Sequence, residues 1–298
     1  MEVAPFEKLR ARSLLWWMPL CGLLLFPIFY LPGVEVGNSL VTSAWFLSSL
    51  LGWVLWKTWR CGINLGYLLG PIPTSCRTWQ LAVMAVPMFL FAAGATWLIY
   101  YPLPFAFPSY VESFLSRATF QFSDHGLLYN AGRSVFAIVL FPIVEELAFR
   151  GVLLNRWTHK WGIVPAIFAS SLVFGLGHPH RLIAFMIGIV LAVLYIRSGS
   201  LMISVAAHMG TNALAVCIAV LTASLESTSS ATGSLEAFRS NYWVGLICLG
   251  LSVPALGHFF YKSWPLGRWR EPYEQNAGRS TREGEQSPEP SKVSQVES

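Results

Sequence analysis

The sequence predicts an all-α polytopic membrane protein with about eight transmembrane helices and a polar site near mid-membrane. Three observations carry that expectation. The 298 residues are 54% hydrophobic and only 12% charged, about half the charged fraction of a soluble domain. Mean hydropathy is positive, at +0.53. Apolar stretches long enough to approach the ~20 residues needed to span a bilayer recur along most of the chain. The 13 Trp fit the same class, because Trp gathers at membrane interfaces.

Scanned in order, the apolar runs place spans near 14–31, 40–56, 80–100, 132–157, 162–178, 182–197, 201–222 and 243–262. The first follows Lys8, Arg10 and Arg12 in the charge order of a signal peptide. It is long and lacks a small-residue cleavage site, so it reads as a transmembrane anchor. Lys57, Arg60 and Arg77, then Arg156 and Lys160, then Arg197, then Lys262, Arg268 and Arg270 fall in alternate loops. The intervening loops hold Glu35, Glu112, Asp124, Glu226 and Glu236, with His178–Arg181 as the local exception. The bias of basic residues to cytoplasmic loops then puts both termini in the cytoplasm. Within 105–130, Val111, Phe114, Leu115 and Ala118 recur at helical spacing, as in a helix lying at the interface.

The organisation expected is therefore N-terminal helices and an interfacial segment over 1–130, and a catalytic core over 131–225. A last transmembrane helix lies in 226–264, and a polar Pro/Ser/Glu-rich tail over 265–298 is expected to be disordered. The tail shows no C-a-a-X ending, so the chain does not read as a prenylation target itself. The five cysteines form no C-x-x-C, and free apolar cysteines are the expectation. The net charge of +5 has no accompanying basic face or nucleic-acid motif; it sits beside the spans, and nucleic acid is not an expected partner.

Three polar groups interrupt the apolar segments. In "FPIVEELAFRGVLLNRW", Glu146 and Arg150 are four apart and share a helix face, with the acid N-terminal, the better order. A desolvated ion pair would make both tolerable. Glu145 is then unpaired and turned by about 100°, and a carboxylate held in an apolar surround is the usual preparation for general acid–base work. For this stretch alone, an ionic staple of all three residues is an equal reading. In "SSLVFGLGHPHR", Phe174 precedes His178 by one turn, and Pro179 ends the helix immediately after it. A histidine at a wet helix end explains His178 in isolation, and His180 still better. In "ISVAAHMGTNALAV", His208 and Asn212 share a face among Ala206, Ala207, Gly210 and Ala213. Small residues let helices approach closely, so this face points into the bundle, either for chemistry or for interhelical hydrogen bonding alone.

At about 1.5 Å per residue, Glu145, His178, His208 and Asn212 lie about 16, 24, 12 and 18 Å from their presumed cytoplasmic helix ends. Convergence at one depth is permitted by this arithmetic, with His178 the outlier. If they converge, a carboxylate and a histidine could hold and deprotonate a water. A second histidine and an amide could donate to a tetrahedral oxyanion. No Ser–His or Cys–His pair at comparable depth offers a covalent nucleophile. Glu145, His178 and His208 are also a donor set for zinc, although no H-E-x-x-H occurs.

Together the three stretches resemble the CAAX-protease and bacteriocin-processing family of intramembrane endopeptidases, which includes the type II CAAX prenyl proteases. "EELAFR" matches E-E-x-x-x-R, "FGLGH" matches F-x-x-x-H, and "HMGTN" matches H-x-x-x-N, in order, over about residues 130–225. The resemblance implies that Glu145 and His178 activate the attacking water and that His208 and Asn212 form the oxyanion site. Glu146, Arg150 and Phe174 would support them. It implies a glutamate-dependent protease with no cofactor, with zinc the alternative. Its substrate would be a membrane protein or lipidated peptide. The rivals are a non-proteolytic membrane scaffold or immunity-type protein of the same fold and, from a different class, a transporter, for which no inverted repeat speaks. The membrane expected is a plasma (inner) membrane rather than the endoplasmic reticulum.

Overall fold

The computed structural model describes residues 5–25, 39–109, 111, 126–226, 240–265 and 271–286. Among them every regular element is helical. Helix α1 is Ser13–Leu25, α2 is Ser39–Cys61, and α3 is the short Leu65–Leu69. A 3₁₀ stretch, Gln80–Met84, leads into α4, Ala85–Tyr100. Helix α5 runs without a break over 127–161 and carries the E-E-x-x-x-R stretch. Then follow α6 (Ile163–Leu176), α7 (Arg181–Ser198), α8 (Leu201–Glu226), α9 (Tyr242–Ser263) and α10 (Pro272–Gln286).

Five segments are long and apolar enough to cross a membrane: Leu40–Cys61, Gln80–Tyr100, Arg181–Ser198, Leu201–Thr222 and Tyr242–Ser263. Each coincides with one of the eight expected spans. The protein is thus a polytopic α-helical membrane protein. The described parts of the spans expected at 14–31 and 162–178 correspond to the shorter apolar helices Ser13–Leu24 and Ile163–Leu176, residues 26–31 lying outside the described residues. Helix α6 is 14 residues, or about 21 Å, because it stops at Leu176, two residues before the expected end. The span expected at 132–157 lies within α5.

Helix α7 forms the centre of the bundle. Leu191, Ala192, Val193, Leu194 and Tyr195 are all inaccessible, as befits a helix that is apolar on every side, and α4, α6, α8 and α9 pack around it. Helices α4 and α9 approach through Gly94 and Gly245, where a Cβ on either glycine would collide with the opposite helix. Large apolar side chains such as Trp16, Leu24, Leu98 and Leu251 stay exposed on the outside, a surface suited to lipid.

The tail departs from expectation. Residues 272–286 are helical, and their docking residues Glu271, Tyr273 and Asn276 are buried. The Tyr273 hydroxyl accepts the Asn64 amide at 3.0 Å, and its ring meets Phe6 and Tyr67 edge-on. The Asn276 amide donates to the carbonyls of Tyr67 (2.9 Å) and Gly199 (3.0 Å), which lie near the ends of α3 and α7. A few specific contacts anchor a segment whose average composition is that of a disordered chain. Residues 266–270 and 287–298 lie outside the described residues. So does most of the expected interfacial helix, including Phe114, Leu115 and Ala118; Val111 is described and buried.

Two predictions follow from this junction. Gly62 and Gly70 both have positive φ, 67° and 72°, but only at Gly70 would a Cβ strike the Gly199 carbonyl; at Gly62 it would meet nothing within 4 Å. Gly62→Ala should cost about 1–2 kcal/mol from backbone strain, and Gly70→Ala measurably more, read by thermal unfolding in detergent. The Glu271 carboxyl is pushed up to about 8, first by burial and then by the neighbouring Glu274. A carboxyl raised in the folded state contributes stability below its unfolded pKa, and that contribution is lost as pH rises through the folded value. Proteolytic release of α10 should therefore increase between about pH 5 and 8, and the increase should vanish in Glu271→Gln.

Candidate active site

Helix α5 reaches the site by changing its winding. Leu127–Val135 is α-helical, Phe136–Leu140 is π, Phe141–Glu146 is α, Leu147–Leu154 is π and Asn155–Trp161 is α again. π-turns re-aim side chains and concentrate at functional positions. Here they flank the pair Glu145–Glu146. The lower end of the second π stretch is held by Asn155, whose amide donates to the carbonyls of Arg150 (3.2 Å) and Gly151 (2.7 Å) and to the Tyr195 hydroxyl (3.2 Å). Tyr195 in turn donates to the Leu68 carbonyl at 2.9 Å. A single buried asparagine thereby ties α5 to α7 and α3.

The two glutamates divide sharply. Glu146 and Arg150 are both 0% exposed and pair at 2.7 Å. The second guanidinium nitrogen donates to the Gly188 carbonyl of α7 at 3.1 Å. The other Glu146 oxygen accepts from Ser204, and His208 Nδ1 lies 3.1 Å from the first. Ser204 also reaches the Leu191 carbonyl at 3.1 Å. Glu146 therefore takes partners from its own helix and from α8. Among the described residues Glu145 has none at hydrogen-bond distance. One of its oxygens faces His178 Nε2 and the other His208 Nε2, each at 3.9 Å. Its side chain is 8% exposed, that of His208 6%, and that of His178 30%.

Phe174 is the apolar anchor of this group. The Arg150 guanidinium lies 4.3 Å above its ring. The rings of His178, Phe149 and His208 stand 4.4, 5.3 and 5.7 Å away. The Phe174 carbonyl lies 2.8 Å from His178 Nδ1. His178, the outlier of the depth arithmetic, thus joins the site from the turn after α6, with its ring fixed from behind.

Residues 128–214 match the family model described as type II CAAX prenyl endopeptidase, Rce1-like. Over this segment, less than half of the chain, the protein is similar to the CAAX proteases. No curated protein and no solved structure matches the chain. The matched segment runs from α5 into α8, and all seven residues singled out in the sequence fall inside it.

Six of those seven residues meet within this matched segment. Asn212 is the exception. It lies one turn beyond His208, and its amide donates to the Ala137 carbonyl, in the first π stretch of α5, at 2.8 Å. It shares the His208 face of α8, but this hydrogen bond joins α8 to α5 rather than to the other motif residues. Ser204, Gly188 and Asn155 were not singled out in the sequence. Ser204 had a signal, standing four residues before His208 and so on the same face. Gly188 contributes a carbonyl, and a backbone group leaves no trace in side-chain chemistry.

Glu145, His178 and His208 do not fit a zinc ion as placed. Zinc takes its ligands at about 2.0–2.2 Å, so the donors must lie close to one another. These three do not bring one donor atom each to within 4.8 Å of one another. Among the described residues the group that does is His159, Glu271 and Glu274, beside the start of α10.

Breaking the buried pair strands a charge, which typically costs about 3–5 kcal/mol. Arg150→Ala and Glu146→Gln should each lower stability on that scale. The double variant Glu146→Gln/Arg150→Ala should cost clearly less than the two singles combined, in thermal unfolding of purified protein. Strict additivity would show that the two side chains act independently.

Proposed function

We propose that the protein is active as an intramembrane endopeptidase, hydrolysing a peptide bond in a membrane-associated or lipidated protein with a water activated by Glu145 and His178. The observation that carries the reading is the asymmetry between adjacent glutamates. Glu146 is saturated with donors, whereas both Glu145 oxygens are uncommitted and face imidazole nitrogens. A carboxylate free of structural partners, buried beside two histidines, is placed for proton transfer rather than for holding helices together.

In this reading the water lies between Glu145 and His178, on the side where His178 is exposed. Glu145 removes a proton as the water oxygen bonds to the carbonyl carbon, whose π pair moves to oxygen. His208, oriented through Nδ1 by Glu146, donates from Nε2 to that oxyanion when its ring carries both protons. Asn212, on the His208 face of α8, has a second amide hydrogen for the same role. Collapse of the intermediate expels the amine, which takes its proton from Glu145. Ser204 and Arg150 act by positioning Glu146. The bilayer is the working environment, and the gathering of N-terminal and α5-end basic residues described below supports their placement on one side of it, the cytoplasmic one by charge bias.

The deciding experiment compares cleavage of a library of membrane and lipidated peptides by wild type and Glu145→Gln in detergent, with and without a chelator. Gln keeps the shape and removes the base, so cleavage should fall by about 10²–10⁴-fold with stability retained, and the chelator should leave the wild type unaffected. Wild-type turnover by Glu145→Gln would sink the mechanism. Loss of cleavage on chelation would favour a zinc enzyme whose ligands rearrange. A folded wild type that cuts nothing would favour a scaffold.

A further inference from the structure

The segment entering α1 lies against the C-terminal part of α5 and Val173 of α6 and leaves a crevice of about 570 Å³. That is the size of a small-molecule site. Its walls are apolar, including Leu14, Leu153 and Val173. Its polar lining is entirely basic: Arg10, Arg12, Arg156 and Lys160. A second cavity of about 480 Å³ shares Arg10 and is lined by Lys8, Lys57, Arg60 and Cys61. Neither cavity has a carboxylate in its lining. Among the described residues none of these seven cations forms an ion pair; the nearby Glu7 is turned to His159, at 3.6 Å.

Orientation in the membrane accounts for basic residues on this side of the protein. It does not account for their assembly, from two separate parts of the chain, around an apolar crevice with no carboxylate among its lining residues. Leu15 and Trp161, which also line the crevice, are 73% and 49% exposed, so its rim carries apolar side chains on the outer surface. Trp157 and Trp161 stack at 5.9 Å beside it, and Lys160 Nζ sits 5.0 Å from the Trp161 ring. Aromatic rings of this kind mark headgroup level. Basic pockets between transmembrane helices are suited to acidic headgroups.

We propose that this crevice binds one acidic phospholipid, its phosphate among Arg10, Arg12, Arg156 and Lys160 and the upper part of an acyl chain along Leu14, Leu153 and Val173. The lipid would join the chain's N-terminal segment to the end of the helix that carries both glutamates. It supplies the anion that the described residues do not place in the crevice, and its chain fills a wall that water would wet poorly.

The test uses the full-length protein, delipidated in neutral detergent. Thermal midpoints and native mass spectra are recorded with phosphatidylglycerol, phosphatidylcholine of the same chains, or inorganic phosphate. Phosphatidylglycerol should raise the midpoint and remain bound as one copy, whereas phosphatidylcholine and phosphate should do neither. Arg156→Gln and Lys160→Gln should each weaken phosphatidylglycerol binding about fivefold, taking about 1 kcal/mol per basic residue. Lys160→Arg should restore it. Equal binding of the two lipids would overturn the proposal, as would a full effect of phosphate alone or undiminished selectivity in the Gln variants. If a Gln variant fails to fold, the comparison of the three ligands on wild type still decides.

Discussion

Everything around the candidate site depends on the saturation of Glu146. A carboxylate with no exposure inside an apolar bundle is sustained only if its lone pairs are filled by well-placed donors. Arg150, Ser204 and His208 fill them. Each donor is then constrained by the same contact. Arg150 is held between Glu146, the Gly188 carbonyl and the face of Phe174. Ser204 and His208 fix the rotation of α8 about its axis. The acid thereby converts an electrostatic liability into a three-helix registration, and Glu145, one residue earlier, inherits a defined position without spending any of its own oxygens.

Polar bonding away from the site has the same character. Asn155 on α5, Tyr195 on α7 and Asn276 on α10 are each buried and each reach backbone carbonyls of other segments or of a non-ideal turn. In an apolar medium such carbonyls have no water to fall back on. The π-wound stretches of α5 and the glycine-ended helices α3 and α7 create the local irregularities, and amide or phenol side chains close them. Irregular backbone and buried Asn or Tyr therefore occur together along one side of the bundle.

Much of this was legible from sequence, for identifiable reasons. Hydropathy found the segments because membrane helices are selected on composition, and five coincide with expected spans. The Glu146–Arg150 pair was readable because both partners lie on one helix at a spacing that fixes their contact. The meeting of Glu145, His178 and His208 was not readable by counting residues, since it depends on a turn between α6 and α7 and on π-windings that shift helix phase. Those windings have no composition of their own. The tail was misjudged because an average over polar residues hides Tyr273 and Asn276, whose bonds to Asn64 and Tyr67 each span 209 residues of sequence. The role of Asn212 follows from the shared face with His208 only in part, because the face also meets α5.

The unequal exposure of the site has a consequence for what can be cut there. Glu145 and His208 are closed in and His178 is partly open, so the site has a front, at the turn between α6 and α7, and a dry back. Under the proposed reading a peptide bond must approach that front with its carbonyl available. In an intact helix that carbonyl is already bonded four residues onward. A segment that is already extended, or that ends within a few residues, presents it without first unwinding. Helical segments would have to fray before entry. The geometry thus discriminates by backbone shape before any side chain is read.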